Sequence, residues 1–187
     1  MILIYGSASS GKSLVAEKVA VDAGKRLKAE LIYMATMENS SDEAKLRIKH
    51  HSKMREGKGF SLIEEMYNPA EHIDTIKDKI VLIECMSNLV GNVLFKEFGD
   101  NPINDAQIKL FSKKIVDEIT LVSDMAAETV IVSNDVFSDG IKYDNWTVGY
   151  LKLLASVNIK LAEKSSNVIQ VVNGCLDIIK GDKFEYN

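Results

Sequence analysis

The feature that most constrains this chain is a glycine-rich segment at residues 6–13, which directly follows an apolar N-terminal run. The segment matches the pattern G-x-x-x-x-G-K-[ST], and a stretch with helical periodicity comes after it. The two glycines permit backbone angles that turn successive N–H groups toward one phosphate at the positive end of the helix. We therefore predict a nucleoside triphosphate site with these binding residues: Gly6, Ser7, Ala8, Ser9, Ser10, Gly11, Lys12 and Ser13.

Two side chains of this segment have predicted roles of their own. Lys12 is expected to reach the β- and γ-phosphates as a catalytic residue, and the Ser13 hydroxyl is expected to hold Mg²⁺. A glycine- and serine-rich turn that merely contains a lysine is the alternative interpretation. It is disfavoured because the segment lies between a predicted strand and a predicted helix, which is the setting that phosphate loops require.

The rest of the chain alternates between strand-like and helix-like segments, which predicts βαβ units. Continuous apolar runs rich in Val, Ile and Tyr are typical of parallel strands covered on both faces, and they occupy residues 1–5, 31–35, 80–85, 129–133 and 167–172. Helical spacing occurs at residues 14–23, 42–53, 104–126 and 146–165. We expect an α/β fold of the P-loop type, with a mostly parallel central sheet and flanking helices. Asn173-Gly174 between two apolar runs predicts a small C-terminal hairpin at a sheet edge.

Composition excludes several classes of protein. The chain has 187 residues, of which 46% are hydrophobic, and this is enough to bury the core of one domain spanning residues 1–187. The formal net charge of −4 provides no basic footprint for nucleic acid. No apolar run approaches about 18 residues, so no membrane span is expected. The two cysteines are too few for a disulfide framework, which fits a cytoplasmic protein with reduced thiols.

Two acidic residues follow predicted strands and are candidates for the metal site. Glu84 comes after four apolar residues, and Asp135 follows the strand that ends at Ser133. In an open α/β sheet, both lie outside the carboxyl ends of the strands, beside the phosphate loop. We predict that Glu84 is catalytic and a metal ligand, and that Asp135 contributes to nucleotide binding. The alternatives are an exposed strand-end carboxylate for Glu84 and a turn or cap for Asp135.

Two adjacent histidines stand in a basic segment of the predicted helix at residues 42–53. His50 and His51 follow Arg47, and Arg55 comes shortly after them, so the cations in this segment are placed to attract the phosphates of a nucleotide. A neutral imidazole is a competent nucleophile or proton carrier. Metal ligation by both rings is disfavoured, because neighbouring helical positions diverge by about 100°. The residues alone leave two interpretations, a reactive histidine or two exposed histidines on a basic helix face.

Taken in order along nearly the whole chain, these motifs resemble the bifunctional adenosylcobinamide kinase/adenosylcobinamide-phosphate guanylyltransferase family of cobalamin assembly. The phosphate loop alone is weak support for one family, but its combination with a Tyr-x-Ala-Thr strand end and an Arg-Ile-x-His-His segment is more specific. The matching residues outside the loop are Tyr33, Ala35, Thr36, Arg47, Ile48, His50, His51, Leu82, Ile83, Glu84, Cys85, Ser133, Asn134 and Val136.

The resemblance implies a RecA-like P-loop fold and two activities. The first is transfer of a γ-phosphoryl group from GTP or ATP to the hydroxyl of adenosylcobinamide, with Mg²⁺ as cofactor. The second is transfer of GMP from GTP, through a histidine, to the phosphorylated product. The first histidine of the pair, His50, matches the nucleophile, and Arg47 matches a nucleotide-binding position. The resemblance also implies a homo-oligomer, a trimer or similar ring.

Two other functions remain as alternatives. The first is a small-molecule kinase that lacks the guanylyltransferase step, since the sequence departs from the family pattern around Leu151 and Lys152. The second is a GTP-binding regulatory protein with no small-molecule acceptor. One apolar stripe is compatible either with a core or with an interface between subunits. It consists of Leu89, Val90, Val93, Leu94 and Phe95.

Overall fold

The computed structural model describes residues 1–38, 42–137 and 140–182, except for the side chains of Glu43, Ala44, Arg47, His50 and Met54. In this part of the chain, seven strands form a single sheet in the order β3-β2-β4-β5-β1-β6-β7. All neighbouring strands are parallel except β6 and β7, which form the antiparallel hairpin that the sequence predicted. The strands are β1 (Ile2–Gly6), β2 (Leu31–Ala35), β3 (Phe60–Glu64), β4 (Ile80–Glu84), β5 (Glu128–Asn134), β6 (Asn167–Val172) and β7 (Cys175–Lys180).

Helices connect the parallel strands, as βαβ units require. A 3₁₀ turn at Pro69–His72 precedes the one-turn helix α3. Across the described residues, no helix combines the length and the apolar character needed to cross a membrane. The helices are α1 (Lys12–Leu27), α2 (Asp42–Arg55), α3 (Ile73–Ile76), α4 (Met86–Phe98), α5 (Asp105–Met125) and α6 (Asn145–Lys164).

The core has two layers because successive side chains of each strand point to opposite faces of the sheet. On one face, Leu3, Ile83 and Ile131 pack against α4, α5 and α6. On the other face, Ile4 and Leu82 pack against α1. Four of the five predicted strands are therefore continuous apolar runs with both faces covered, and the mostly parallel α/β fold is confirmed.

Three elements were not predicted, and one of them, α3, is a helix of only four residues. Strand β3 lies at the sheet edge with all five residues exposed or only half-buried, so it lacks the continuous apolar run of a central strand. Helix α4 is short, and its crowded apolar residues obscure the helical period. In the apolar stripe of this helix, Leu89, Val90, Val93 and Leu94 belong to the core, whereas Phe95 is 59% exposed.

The hairpin at the sheet edge reaches the phosphate loop. The backbone N–H of Gly174, in the turn between β6 and β7, donates to the carbonyl oxygen of Ser10 at 2.9 Å. A Cβ atom at Gly6 would lie 2.4 Å from the carbonyl oxygen of Val171, so only glycine fits there. The loop is therefore enclosed by the last strands as well as by β1 and α1.

Candidate nucleotide-binding site

The predicted phosphate loop joins β1 to α1 and has an ordered backbone. Gly11 adopts a φ of 92°, a left-handed conformation that favours glycine, and its carbonyl accepts from Val15 at the start of the helix. Lys12 is 8% exposed, and its Nζ donates to the carbonyl oxygen of Ser7 at 2.9 Å. The lysine therefore lies folded over the loop, which is where a phosphate would bind.

Glu84, at the carboxyl end of β4, is the centre of a buried polar cluster. One carboxylate oxygen, Oε1, accepts a short hydrogen bond from the Ser13 hydroxyl, and the other, Oε2, accepts from the Tyr33 hydroxyl at 3.1 Å. The Nδ1 atom of His51 lies 3.4 Å from Oε1. Three elements that are distant in sequence therefore converge on this carboxylate: the start of α1, strand β2 and helix α2.

The contact between Glu84 and His51 changes the pKa of both groups. Burial alone raises the pKa of the Glu84 carboxyl, but the interactions with His51, Ser13 and Tyr33 together hold it below its usual value. The hydrogen bond to Glu84 raises the pKa of His51, against the opposing effect of burial. Both shifts favour the charged forms, and the distance of 3.4 Å between Nδ1 and Oε1 is within the range of an ion pair.

Ser13 and Glu84 meet the requirements for a magnesium site in the presence of a nucleotide. Their hydroxyl and carboxylate oxygens are hard ligands that already face each other, as the hydrogen bond between them shows. Among the described residues, no group of three or more His, Cys, Asp or Glu side chains is arranged to hold a metal by itself. This donor set fits Mg²⁺, which is usually held by one or two protein groups together with substrate phosphates.

A cavity of about 450 Å³ opens above this cluster. Its wall includes the phosphate loop, Glu84, and two residues from the last turns of α2, His51 and Arg55. Leu14 and Ile48 contribute apolar surface to the same cavity. The cavity therefore combines phosphate-binding cations with an apolar wall, which suits a nucleotide.

Besides His51 and Arg55, three further polar residues of the cavity wall were not among the predicted site residues. Tyr33 supplies a hydroxyl to Glu84, Asn88 lies in the first turn of α4, and Asn134 ends β5. The signal for Tyr33 was present in the Tyr-x-Ala-Thr segment. Asn134 directly precedes the predicted Asp135, whose backbone N–H donates to Gly6 at 2.9 Å. Asn134 lines the cavity, and a nucleotide contact from the Asp135 side chain stays a prediction.

Two predicted residues have side chains outside the described part of the structure. Arg47 and His50 belong to α2, and their roles stay predictions. Their helix nevertheless borders the site, because Ile48, His51 and Arg55 all line the cavity.

The sequence departures on α6 lie away from the cavity wall. Lys152 pairs with Asp105 at the start of α5, at 3.2 Å. Asn158, which the same helix retains, accepts from the Ser133 hydroxyl at 2.6 Å and so supports the end of β5 behind the cavity. The altered residue Lys152 thus connects two helices, whereas the retained Asn158 stabilises the strand end next to the site.

Comparison with known proteins supplies the family. The model of the CobU family, described as cobinamide kinase / cobinamide phosphate guanyltransferase, matches residues 2–178. A bifunctional adenosylcobalamin biosynthesis protein CobU from Salmonella typhimurium strain LT2 is 31% identical over 188 residues, which covers 93% of this chain and 96% of the relative. The protein of the same name from Escherichia coli K12 is 29% identical over 180 residues, with the same coverage. Because the family model spans nearly the whole chain, and because the site has that family's phosphate loop and histidine segment, the chain belongs to the cobinamide kinase / cobinamide phosphate guanyltransferase family.

Proposed function

We propose that this protein phosphorylates adenosylcobinamide with GTP or ATP, and then transfers GMP from GTP to adenosylcobinamide phosphate to give adenosylcobinamide-GDP. The observation that carries the proposal is the ion pair between His51 and Glu84. It brings the helix with the histidine pair to the same cavity as the phosphate loop. This supports a reaction in which a histidine of α2 and the nucleotide at the phosphate loop take part together.

In the phosphorylation step, the acceptor hydroxyl oxygen forms a bond to the γ-phosphorus and the bond to the β-phosphate oxygen breaks. Lys12 neutralises charge on the β- and γ-phosphates, as its position over the loop suggests. Magnesium, held by Ser13 and Glu84 together with phosphate oxygens, would supply further charge neutralisation. Tyr33 orients the Glu84 carboxylate through its hydroxyl.

In the guanylyl transfer step, an imidazole nitrogen of His50 forms a bond to the α-phosphorus of GTP, and pyrophosphate leaves. A phosphate oxygen of adenosylcobinamide phosphate then attacks the same phosphorus, and the histidine is released as the N–P bond breaks. The motif match supports His50 as the nucleophile, and its neighbour His51 is already engaged by Glu84. The two adjacent histidines therefore have different roles, one reactive and one anchoring.

The proposal has two further parts. We infer a cytoplasmic location from the small number of cysteines, and a homo-oligomer, a trimer or similar ring, from the family resemblance. In the apolar stripe of α4, the described residues Leu89, Val90, Val93 and Leu94 are buried, whereas the ring of Phe95 is exposed. This ring could therefore contact a second copy of the chain. Light scattering on the purified protein would give the number of subunits.

The experiment that tests the proposed function is incubation with Mg²⁺ and GTP labelled on the α-phosphate, followed by denaturation and counting of protein-bound label. We expect label that is labile in acid and stable in alkali, as for a phosphoramidate. It should be absent from His50→Ala and present in His72→Ala, because His72 pairs with Glu65 outside the cavity. Phosphorylation of adenosylcobinamide should survive in both variants.

Each remaining outcome identifies an alternative. No label, with phosphorylation of adenosylcobinamide intact, would make the protein a kinase without the transferase step. GTP binding without turnover of adenosylcobinamide would favour a regulatory protein. Equal loss of label and of phosphorylation in folded His50→Ala would contradict separate roles for His50 and Lys12.

A further inference from the structure

Arg55, at the end of α2, is a cation of the cavity wall that lies against an aromatic ring. Its guanidinium carbon lies 3.5 Å from the centroid of the Tyr33 ring. Within the described part of the chain, its Nη1 atom is buried and has no hydrogen-bond partner. The residue lines the same cavity as Lys12 and Glu84.

A buried guanidinium donor without an acceptor is unfavourable, because it has lost water and gained no hydrogen bond. Stacking on Tyr33 does not remove this desolvation cost. The ring contacts the face of the guanidinium, and the N–H donors at the edge of the guanidinium still lack acceptors. Among the described residues, no carboxylate lies within ion-pairing distance of Arg55, although Glu84 is bonded to the same tyrosine. The missing acceptor is therefore best supplied by a ligand in the cavity.

The position of the Arg55–Tyr33 stack indicates which part of a nucleotide would accept the hydrogen bond from Arg55. Tyr33 bonds through its hydroxyl to Glu84, and Glu84 accepts from Ser13. Ser13 directly follows Lys12, the residue expected to reach the β- and γ-phosphates of a bound triphosphate. A guanidinium on the ring of Tyr33 is thus next to the γ-phosphate end of a bound triphosphate.

We propose that Arg55 binds the γ-phosphate of the nucleoside triphosphate, and that the Tyr33 ring holds the guanidinium in place for this contact. The inference rests on the proposed use of a triphosphate in the cavity. In phosphorylation, Arg55 donates to the group being transferred. In guanylyl transfer, the same γ-phosphate is part of the departing pyrophosphate, so Arg55 neutralises charge on the leaving group.

The test compares the affinities of two probes, guanosine 5′-(β,γ-imido)triphosphate and GDP, measured by calorimetry with Mg²⁺ present. We expect Arg55→Ala to weaken binding of the triphosphate analogue at least about 10-fold, which is typical of a lost charge-assisted contact, and to leave GDP within about 2-fold. Arg26→Ala is the matched control, because Arg26 is exposed on α1 and contacts only Glu128, at 3.8 Å, outside the cavity. It should change neither affinity.

Two further variants separate ligand binding from packing. Arg55→Lys keeps the charge without the planar fork, so it should recover only part of the affinity for the triphosphate. Tyr33→Leu removes the stacked ring and should give the same selective loss of affinity for the triphosphate as Arg55→Ala. If Arg55→Ala does not fold, Arg55→Lys is measured in its place. Equal weakening of both probes, or no weakening of either, would overturn the proposal. Neither probe requires a cobinamide, so this result is independent of whether the protein acts on one.

Discussion

Helices α1 and α2 both border the nucleotide cavity, but they are attached to the molecule in different ways. Helix α1 buries Ala16, Val19, Ala20 and Ala23 against the sheet. In α2, none of the described side chains is fully buried, and the contacts at its last turns are polar or made through a ring face: His51 with Glu84, and Arg55 with Tyr33.

This difference in attachment separates a rigid part of the cavity from a part that depends on polar contacts. Apolar burial holds the phosphate loop in place whether or not a ligand is bound, so that site is preformed. The contacts of α2 are made to Glu84 and Tyr33, which belong to the predicted site for magnesium and phosphates. We therefore expect nucleotide binding to change the attachment of α2, the helix that contains the predicted nucleophile His50.

The largest effect is expected from the α1 side of this comparison. Lys12→Ala should reduce both phosphorylation and guanylyl transfer at least about 100-fold, because both steps use phosphates bound at the loop. Steady-state assays of the two steps measure this, with exposed Lys25→Ala of the same helix as the control. A loss confined to one step would mean that the two activities use different nucleotide sites.

An intermediate effect is expected where α2 joins the site. Glu84→Gln keeps the shape of the side chain but removes the charge that holds His51, so the local opening free energy of α2 should fall by about 1–3 kcal/mol. Hydrogen exchange should show faster exchange of amides in α2 and little change in α1. Similar acceleration in both helices would show that Glu84 supports the whole fold and not the attachment of α2.

The smallest effect is expected from a second carboxylate–histidine pair, which lies outside the cavity. Burial alone raises the pKa of Glu65, but the N–H groups of Asn68 and Tyr67 and the side chain of His72 hold it below its usual value of 4.5. Its contribution to stability is therefore present above about pH 4.5 and is lost as the pH falls through the lower pKa of the folded state.

Glu65→Gln should consequently lower the free energy of unfolding near pH 7 by no more than about 1 kcal/mol, and the difference from wild type should shrink at acidic pH. Urea unfolding at several pH values measures this, and GTP affinity should stay unchanged. A change in GTP affinity would mean that this pair also acts on the cavity, which would weaken the contrast with Glu84.

The sequence predicted those parts of the molecule that depend on local pattern. Continuous apolar runs identified β1, β2, β4, β5 and β6, and the glycine and lysine spacing identified the phosphate loop with its Ser13 and Lys12. Strand β3 was missed because an exposed edge strand carries little apolar signal.

The contacts that join distant segments had no such pattern. Glu84 was predicted as a site residue, but its hydrogen bond from Tyr33 and its ion pair with His51 depend on the order of strands in the sheet. The same applies to Arg55: its basic segment predicted attraction of phosphates, but its contact with the Tyr33 ring and its buried nitrogen without a partner among the described residues depend on the fold. Spacing along one helix does not contain that information.

The contact between Gly174 and Ser10 has a consequence for how the protein is made. Strand β1 pairs only with β5 and β6 in the described sheet, and both are synthesised long after the phosphate loop. During translation, the loop leaves the ribosome without the neighbours that enclose it, and it acquires them only when the last hairpin has emerged. We therefore expect GTP to stabilise nascent chains that contain β6 and β7 more than shorter ones, so that cellular nucleotide acts as a folding ligand late in synthesis.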